Sequence, residues 1–305
     1  MIKFKSLFDL LKSNPTEQDC IDYYEKLRWK GKPPISPFDP TSKVYKCANN
    51  RYRCKNTGKY FNVKFGTIFE NSNLSLDKWF LALCLFSSHK KGISSYQLSK
   101  FIKITQKSAW FVLHRLRLGF ECPIFKSMLE NSVEIDETFV GGKNKNRHWD
   151  KKVPHSQGRS WKDKAVVLGI LERNGNLIAQ VVPNTQQNTL EPIIKANIKQ
   201  GSNVYTDEWP SYKDLSKWFN HQIVNHRIKQ YVNGKASTNS IENRWSHLKR
   251  MIYGTYQWVS KKHLQSYIDE YTLRNNTRKH KEQERFDLVL LSSASKRLTY
   301  QQLTS

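Results

Sequence analysis

The hydrophobic positions of this chain change period from one stretch to the next. In "MIKFKSLFDLLKS", Leu7, Phe8, Leu10 and Leu11 recur at helical spacing with Lys5 and Asp9 interrupting them, which predicts a short amphipathic helix within residues 1–19. Residues 20–70 switch to Tyr, Val and Phe alternating between turn residues, as in "VYKCANNRYRCKNTGKYFNVKFGTIF". That pattern predicts the short strands of a small β module. Over residues 71–125 the period lengthens again. "LSLDKWFLALCLFSS" reads as a buried helix, and "GISSYQLSKFIKITQKSAWFVLHRLR" divides into two helices at "IKIT", with Thr105 as N-cap of the second. The spacing over about 92–117 is that of a helix-turn-helix.

From 130 to 285 strands and helices mix, before a short tail at 286–305. "SVEIDETFV" predicts a strand with Val133 and Ile135 on one face, Glu134 and Asp136 on the other, and Gly141-Gly142 at its end. "KAVVLGILERNGNLIAQVV" predicts two strands joined at Asn174-Gly175. A helix follows, with Leu190, Ile193, Ile194 and Ile198 on one stripe and Gly201 closing it. "NVYT" and "HQIVNH" predict further strands, and "TNSIENRWSHLKRMI" a capped helix whose buried stripe is Ile241, Trp245, Leu248 and Ile252. This order of elements fits a ribonuclease H-like α/β domain.

Charge narrows the class of partner. Fifty-one Lys and Arg against 26 Asp and Glu leave a net charge of +25, spread along most of the 305 residues, and such a chain is expected to meet a polyanion. The five cysteines form no CxxC pair, which predicts a reducing, cytoplasmic setting. The longest apolar run, "WFLALCLF", is far short of the roughly 20 residues that span a bilayer, so no membrane association is expected.

Three carboxylates fall at chemically useful places: Asp136 within the first strand of the mixed region, Asp207 at the end of "NVYT", and Glu242 in the first turn of the capped helix. Each has an ordinary reading too, as exposed strand residue, cap and favourable first-turn acid respectively. Lys249 lies two helical turns after Glu242 and is expected to point toward the same groove. Hydrolysing a phosphodiester calls for a pair of hard cations, and oxygen ligands on separate rigid elements suit Mg²⁺.

The chain resembles the Merlin-related, ISXO-type insertion-sequence transposases, which share a DDE catalytic domain. The resemblance runs from about Cys20 to Leu303. It is carried by "RYRCKNTGKYFNV", "HKKGISSYQLSK", "ITQKSAWFVLHRLR", "VEIDETFVGGKNKNRH", "GRSWKDKAVVLGILER", "YTDEWPSY" and "TNSIENRWSHLKRMIYGTY". The resemblance implies that Asp136 in "EIDET", Asp207 in "TDEW" and Glu242 in "SIENRW" are the catalytic carboxylates holding two Mg²⁺ or Mn²⁺ ions, with Lys249 the trailing lysine. It further implies binding to the ends of the chain's own element, strand cleavage, and joining of the freed 3′-hydroxyl to target DNA. The expected partner is double-stranded DNA, on which the protein assembles as a homo-oligomer. A non-catalytic helix-turn-helix regulator, and a nuclease that cuts without joining, are the alternatives.

The second helix of the helix-turn-helix offers Gln106 and Lys107 to base edges, with Arg115 and Arg117 nearer phosphates. Lys143, Lys145 and Arg147 open a basic loop beside the first catalytic strand, placed to grip phosphates. Relatives carry a zinc ribbon upstream. Here Ser36, Asp39 and Thr57 stand at three of its ligand places, leaving Cys47 and Cys54, so the module reads as a degenerate ribbon without structural zinc.

Overall fold

Ser6 and Thr16 open the first two helices of the structure, a computed structural model that describes residues 2–120, 127–142, 144–154, 156, 160, 162–224 and 237–305. In α1 (Leu7–Ser13) the Ser6 hydroxyl accepts from the Asp9 N–H, Leu10 is buried, and Phe8 and Leu11 face solvent. Thr16 and Asp19 exchange hydrogen bonds in a capping box at the start of α2 (Glu17–Arg28). Strands β1 (Val44–Cys47), β2 (Arg51–Cys54) and β3 (Tyr60–Phe61) form an antiparallel sheet in that order. Its first turn uses Asn49 and Asn50 at φ 57° and 54°, a region Asn tolerates better than most residues. Tyr52, Phe61, Phe38 and Phe65 pack ring against ring over this module.

Helix α3 (Leu76–Ser88) is buried along most of its length, as its unbroken apolar run requires. α4 (Ser95–Ile102) ends on Lys103 in the left-handed conformation, and α5 (Gln106–Gly119) starts where the Thr105 hydroxyl accepts from the Ser108 N–H. The N-cap expected at Thr105 is therefore present. These elements belong to one of two compact units, Met1–Cys122 with Lys279–Ser305.

The other unit, Pro123–Arg278, is built on a five-stranded sheet. β4 (Ser132–Val140), β5 (Ala165–Glu172) and β6 (Leu177–Val182) pair antiparallel, while β7 (Asn203–Thr206) and β8 (Asn220–Ile223) add in parallel on the other side of β4, giving the order β6-β5-β4-β7-β8. Asn174 takes the left-handed position, φ 61°, in the β5–β6 turn. Between β6 and β7, α6 (Gln187–Asn197) lays Leu190 and Ile194 on the sheet face formed by Val133, Ile135, Leu168 and Ile170. The opposite face, with Val140, Val167 and Leu171, receives Ile241, Trp245 and Leu248 of α7 (Asn239–Met251) and Leu264 and Ile268 of α8 (Leu264–Asn276). A strand covered on both faces loses its polar alternation, which is why β5 reads "AVVLGILE". The fourth residue of the expected stripe, Ile252, is buried in a π-helical turn, Ile252–Tyr256, that finishes α7.

The chain then returns to the first unit. α9 (Glu282–Ser292) sets Phe286 between Phe4 and Phe80, and α10 (Tyr300–Thr304) starts on a capping box at Thr299. Among the described residues no helix is long and apolar enough to cross a membrane.

Candidate active site

The parallel pairing of β4 with β7 sets Glu134 opposite Tyr205. Two residues further along each segment come Asp136 and Asp207, so the register carries both carboxylates to the same end of neighbouring segments. An Asp207 oxygen accepts from the Trp209 N–H at 3.0 Å, so this residue is a local cap as well as a lining carboxylate. Glu242 projects from the first turn of α7, exposed, and accepts from the Thr238 hydroxyl at 3.3 Å. Asp136, Asp207, Glu242 and Lys249 all line one cleft of about 440 Å³, together with Glu137, Thr138, Phe139, Thr238, Trp245 and Ser246.

Negative charge is crowded on the inner wall of this cleft. Burial pushes Asp136 up to about 7, and repulsion from Asp207 and Glu242 adds to it; the Trp245 indole N–H, donating to Oδ2 at 2.9 Å, works the other way. Glu137 rises to about 8, chiefly through burial; the nearby Tyr212 hydroxyl opposes that rise, and Asp136 and Asp207 reinforce it. A set of mutually repelling carboxylates on separate elements suits hard divalent cations, which take oxygen ligands and relieve that repulsion. The side chains line the cleft without meeting at a point. Among the described residues no three carboxylate, imidazole or thiol groups stand close enough to hold a single ion as placed. Asp136 is turned to Trp245, and Asp207 to its own turn.

Trp245 is 4% exposed, so it belongs to the core and orients Asp136 from there. Its ring lies against Gly169, the β5 residue paired with Asp136. A Cβ on Gly169 would sit 2.3 Å from Trp245 Cζ2, so only glycine admits the ring. Glu137 and Thr238 line the cleft without having been singled out by the sequence, whereas Trp245 is the core residue its place on the apolar stripe predicts and adds a bond to Asp136. Alternation argues against Glu137 by placing it on the face opposite Asp136, but it lies on the stretch of β4 beyond the pairing with β7, which stops at Glu134 and Tyr205, and there it lines the cleft. The glycine inside an apolar strand is the sequence signal for the close approach of the Trp245 ring to β5.

In the other unit, Lys107 is exposed, with its ammonium 5.1 Å from the Tyr300 ring centroid. Gln106 is half-buried and donates to the Ser95 hydroxyl at 2.8 Å, tying α5 to α4. Arg115 and Arg117 correct the expectation of phosphate contacts, being only 6% and 1% exposed. Arg115 donates to the Leu298 carbonyl and covers the Phe111 ring, while Arg117 lies over Phe86. Their guanidinium groups serve packing, and burial lowers the pKa of Arg115.

Within the basic loop Lys145 is exposed, Arg147 donates to the Asp163 carbonyl at 3.0 Å, and Lys143 lies outside the described residues. At the ribbon positions the Ser36 hydroxyl accepts from the Phe38 and Asp39 N–H groups. Asp39 accepts from Thr41 and from the Asn56 side chain, and the Ser42 hydroxyl from the Asn56 N–H. Hydrogen bonds thus join the two turns at the places where ligands were expected.

Residues 128–276 match the ISXO2-like transposase domain family. A Halobacterium salinarum protein, described as an uncharacterized protein in transposable element ISH50, is 29% identical over 235 residues, covering 73% of this chain and 78% of its own length. An uncharacterized transposase-like protein of Haemophilus influenzae is 37% identical over 105 residues, 34% of this chain and 83% of its own. The crystal structure of a pre-cleavage Mos1 transpososome aligns over 98% of this chain and 100% of that one with 12% identity and a TM-score of 0.21, too low a likeness to carry an argument.

Proposed function

The chain belongs to the ISXO2-like transposase family, and from that premise we propose that it binds the ends of its own insertion sequence, cleaves DNA strands there and joins the 3′-hydroxyl to target DNA. The observation that carries this reading is the convergence of Asp136, Asp207, Glu242 and Lys249 on one cleft from three separate elements. The sheet order, antiparallel on one side of β4 and parallel on the other, supports a ribonuclease H-like scaffold.

Asp136, Asp207 and Glu242 are the residues that would hold two Mg²⁺ or Mn²⁺ ions, which when bound activate the attacking oxygen and stabilise the leaving one. The chain's own groups do the rest. Trp245 holds Asp136 in place from below, and the Thr238 hydroxyl holds Glu242 at the cleft edge. Lys249, exposed on the same helix, orients the substrate phosphate and offsets its charge. In the other unit the α4–α5 pair acts as a helix-turn-helix, with Lys107 and Gln106 at the base edges. Lys145 and Arg147 contact the backbone, and the protein works as a homo-oligomer on DNA.

The test is a supercoiled plasmid bearing the element's ends. Wild-type protein with Mg²⁺ yields insertion products, whereas Asp136→Ala, Asp207→Ala and Glu242→Ala each yield none while still binding the ends. Cleavage by Asp207→Ala at the wild-type rate would sink the assignment, and nicks without insertions would leave a nuclease.

A further inference from the structure

The spacing of the sequence predicts that α7 caps itself, but the Thr238 side chain makes no cap hydrogen bond to the helix backbone. Instead the Ile241 N–H in the first turn donates 3.0 Å to Oε2 of Glu134, a residue of β4 107 positions earlier. Glu134 is fully buried. Its other oxygen accepts from Arg173 Nε at 2.8 Å. The same guanidinium reaches the segment just ahead of α7, donating from Nη2 to the Ser237 carbonyl at 3.0 Å and to the Ser237 hydroxyl at 2.9 Å. It also lies 4.3 Å from the centroid of the Tyr205 ring, on β7.

These contacts touch every element that carries a site carboxylate, close to the carboxylate itself. Glu134 precedes Asp136 by two residues, Tyr205 precedes Asp207 by two, and Ile241 is the residue before Glu242. We propose that buried Glu134 and half-buried Arg173 form a strap that sets the spacing of Asp136, Asp207 and Glu242, with Glu134 a positioning residue for the metal-binding edge of α7. The proposal rests on the reading of the cleft as the transposase active site.

The chemistry of the strap explains the residue types. A helix N-terminus carries unsatisfied N–H groups and partial positive charge, so a carboxylate answers both needs where a neutral side chain answers one. A buried carboxylate requires a partner, and an arginine alone has a fork long enough to bind it and still hold Ser237. Glutamine at 134 presents one acceptor and one donor to two donors, so either the Ile241 or the Arg173 bond is lost, and the guanidinium is left without its counter-charge.

Glu134→Gln and Arg173→Lys test this in the full chain, checked for folding by circular dichroism. Hydrogen exchange in metal-free protein reads the strap directly: the first-turn amides of α7, within 239–242, should exchange at least ~10-fold faster in Glu134→Gln while β5 stays protected. Mg²⁺ titration of strand cleavage reads its consequence. Half-maximal cleavage should need about 10–100-fold more Mg²⁺, the usual cost of losing a group that orients metal ligands, with binding to element ends unchanged. Arg173→Lys keeps a positive charge beside Glu134 but lacks the fork, and should fall between. If either folded variant shows wild-type exchange and wild-type Mg²⁺ dependence, the strap is overturned. Wild-type cleavage by Asp207→Ala would overturn the site and the strap's metal role with it, an outcome distinct from failure of the strap alone.

Discussion

Replacing Gly169 with alanine should disable the cleft from beneath without touching a carboxylate. The added Cβ would lie 2.3 and 2.4 Å from Trp245 Cζ2 and Cη2 and 3.1 Å from Ile241 Cδ1, so the indole has to move. Overpacking of this kind costs about 1–3 kcal/mol. A displaced ring also gives up its hydrogen bond to Asp136, and at pH 8, where that carboxylate is ionised, such a bond contributes about 1.5–3 kcal/mol. Alanine recovers roughly 0.5–1 kcal/mol through its smaller backbone entropy loss. The net is a destabilisation of about 2–5 kcal/mol. Loss of the indole N–H also removes an influence that holds Asp136 down, so its pKa should climb further.

Urea unfolding of the wild type, Gly169→Ala, Trp245→Phe and the double variant measures the effect and its origin. Phenylalanine lacks the ring atoms that meet the new Cβ, so Gly169→Ala should cost at least ~1 kcal/mol less in the Trp245→Phe background. An alanine variant as stable as wild type, or an equal cost in both backgrounds, would refute the claim that Gly169 exists to admit Trp245.

The remaining predictions concern pH, Lys249 and zinc. Asp136 is raised to about 7 and Glu137 to about 8 in the fold, so between pH 4 and 8 the folded state binds more protons than the unfolded chain and metal-free stability falls as pH rises. Asp136→Asn should remove part of that fall, of order 4 kcal/mol at most, and Mg²⁺ should raise the wild-type melting temperature more at pH 8 than at pH 5. A wild-type melting curve with the same pH dependence as Asp136→Asn would contradict this. Lys249→Ala should slow single-turnover cleavage at saturating DNA while keeping the metal requirement, with Lys249→Arg partly restored; an unchanged rate would make Lys249 an ordinary surface residue. Elemental analysis should find well under one zinc per chain, because the Ser36 hydroxyl is engaged by N–H groups of its own turn, while Asp39 and Ser42 accept hydrogen bonds from Asn56 in the other turn. Stoichiometric zinc that resists mild chelation would reverse that reading.

Features set by neighbours along the chain are legible in the amino-acid sequence alone. The two-residue period of β4, the Asn174 turn, the Thr105 cap and the Ile241–Trp245–Leu248 stripe each depend on residues within a few positions, and backbone geometry converts such spacing directly into faces and ends. The candidate carboxylates are legible as well, since each has a recognisable local place: Asp136 inside an apolar strand, Asp207 just past the end of another, and Glu242 in the first turn of a helix. What joins them is not. Asp136 and Asp207 reach the same level only through the parallel register of β4 and β7, and α7 takes its cap from Glu134 on the far side of the sequence. Arg115 and Arg117 carry the charge of DNA-binding residues, yet tertiary contacts with the Leu298 carbonyl and the Phe86 ring bury them, because a long guanidinium side chain can settle its polar needs on a carbonyl or a ring. Local spacing decides which face a residue takes; whether that face meets solvent, a second carboxylate or a buried arginine depends on segments the chain brings back from far away.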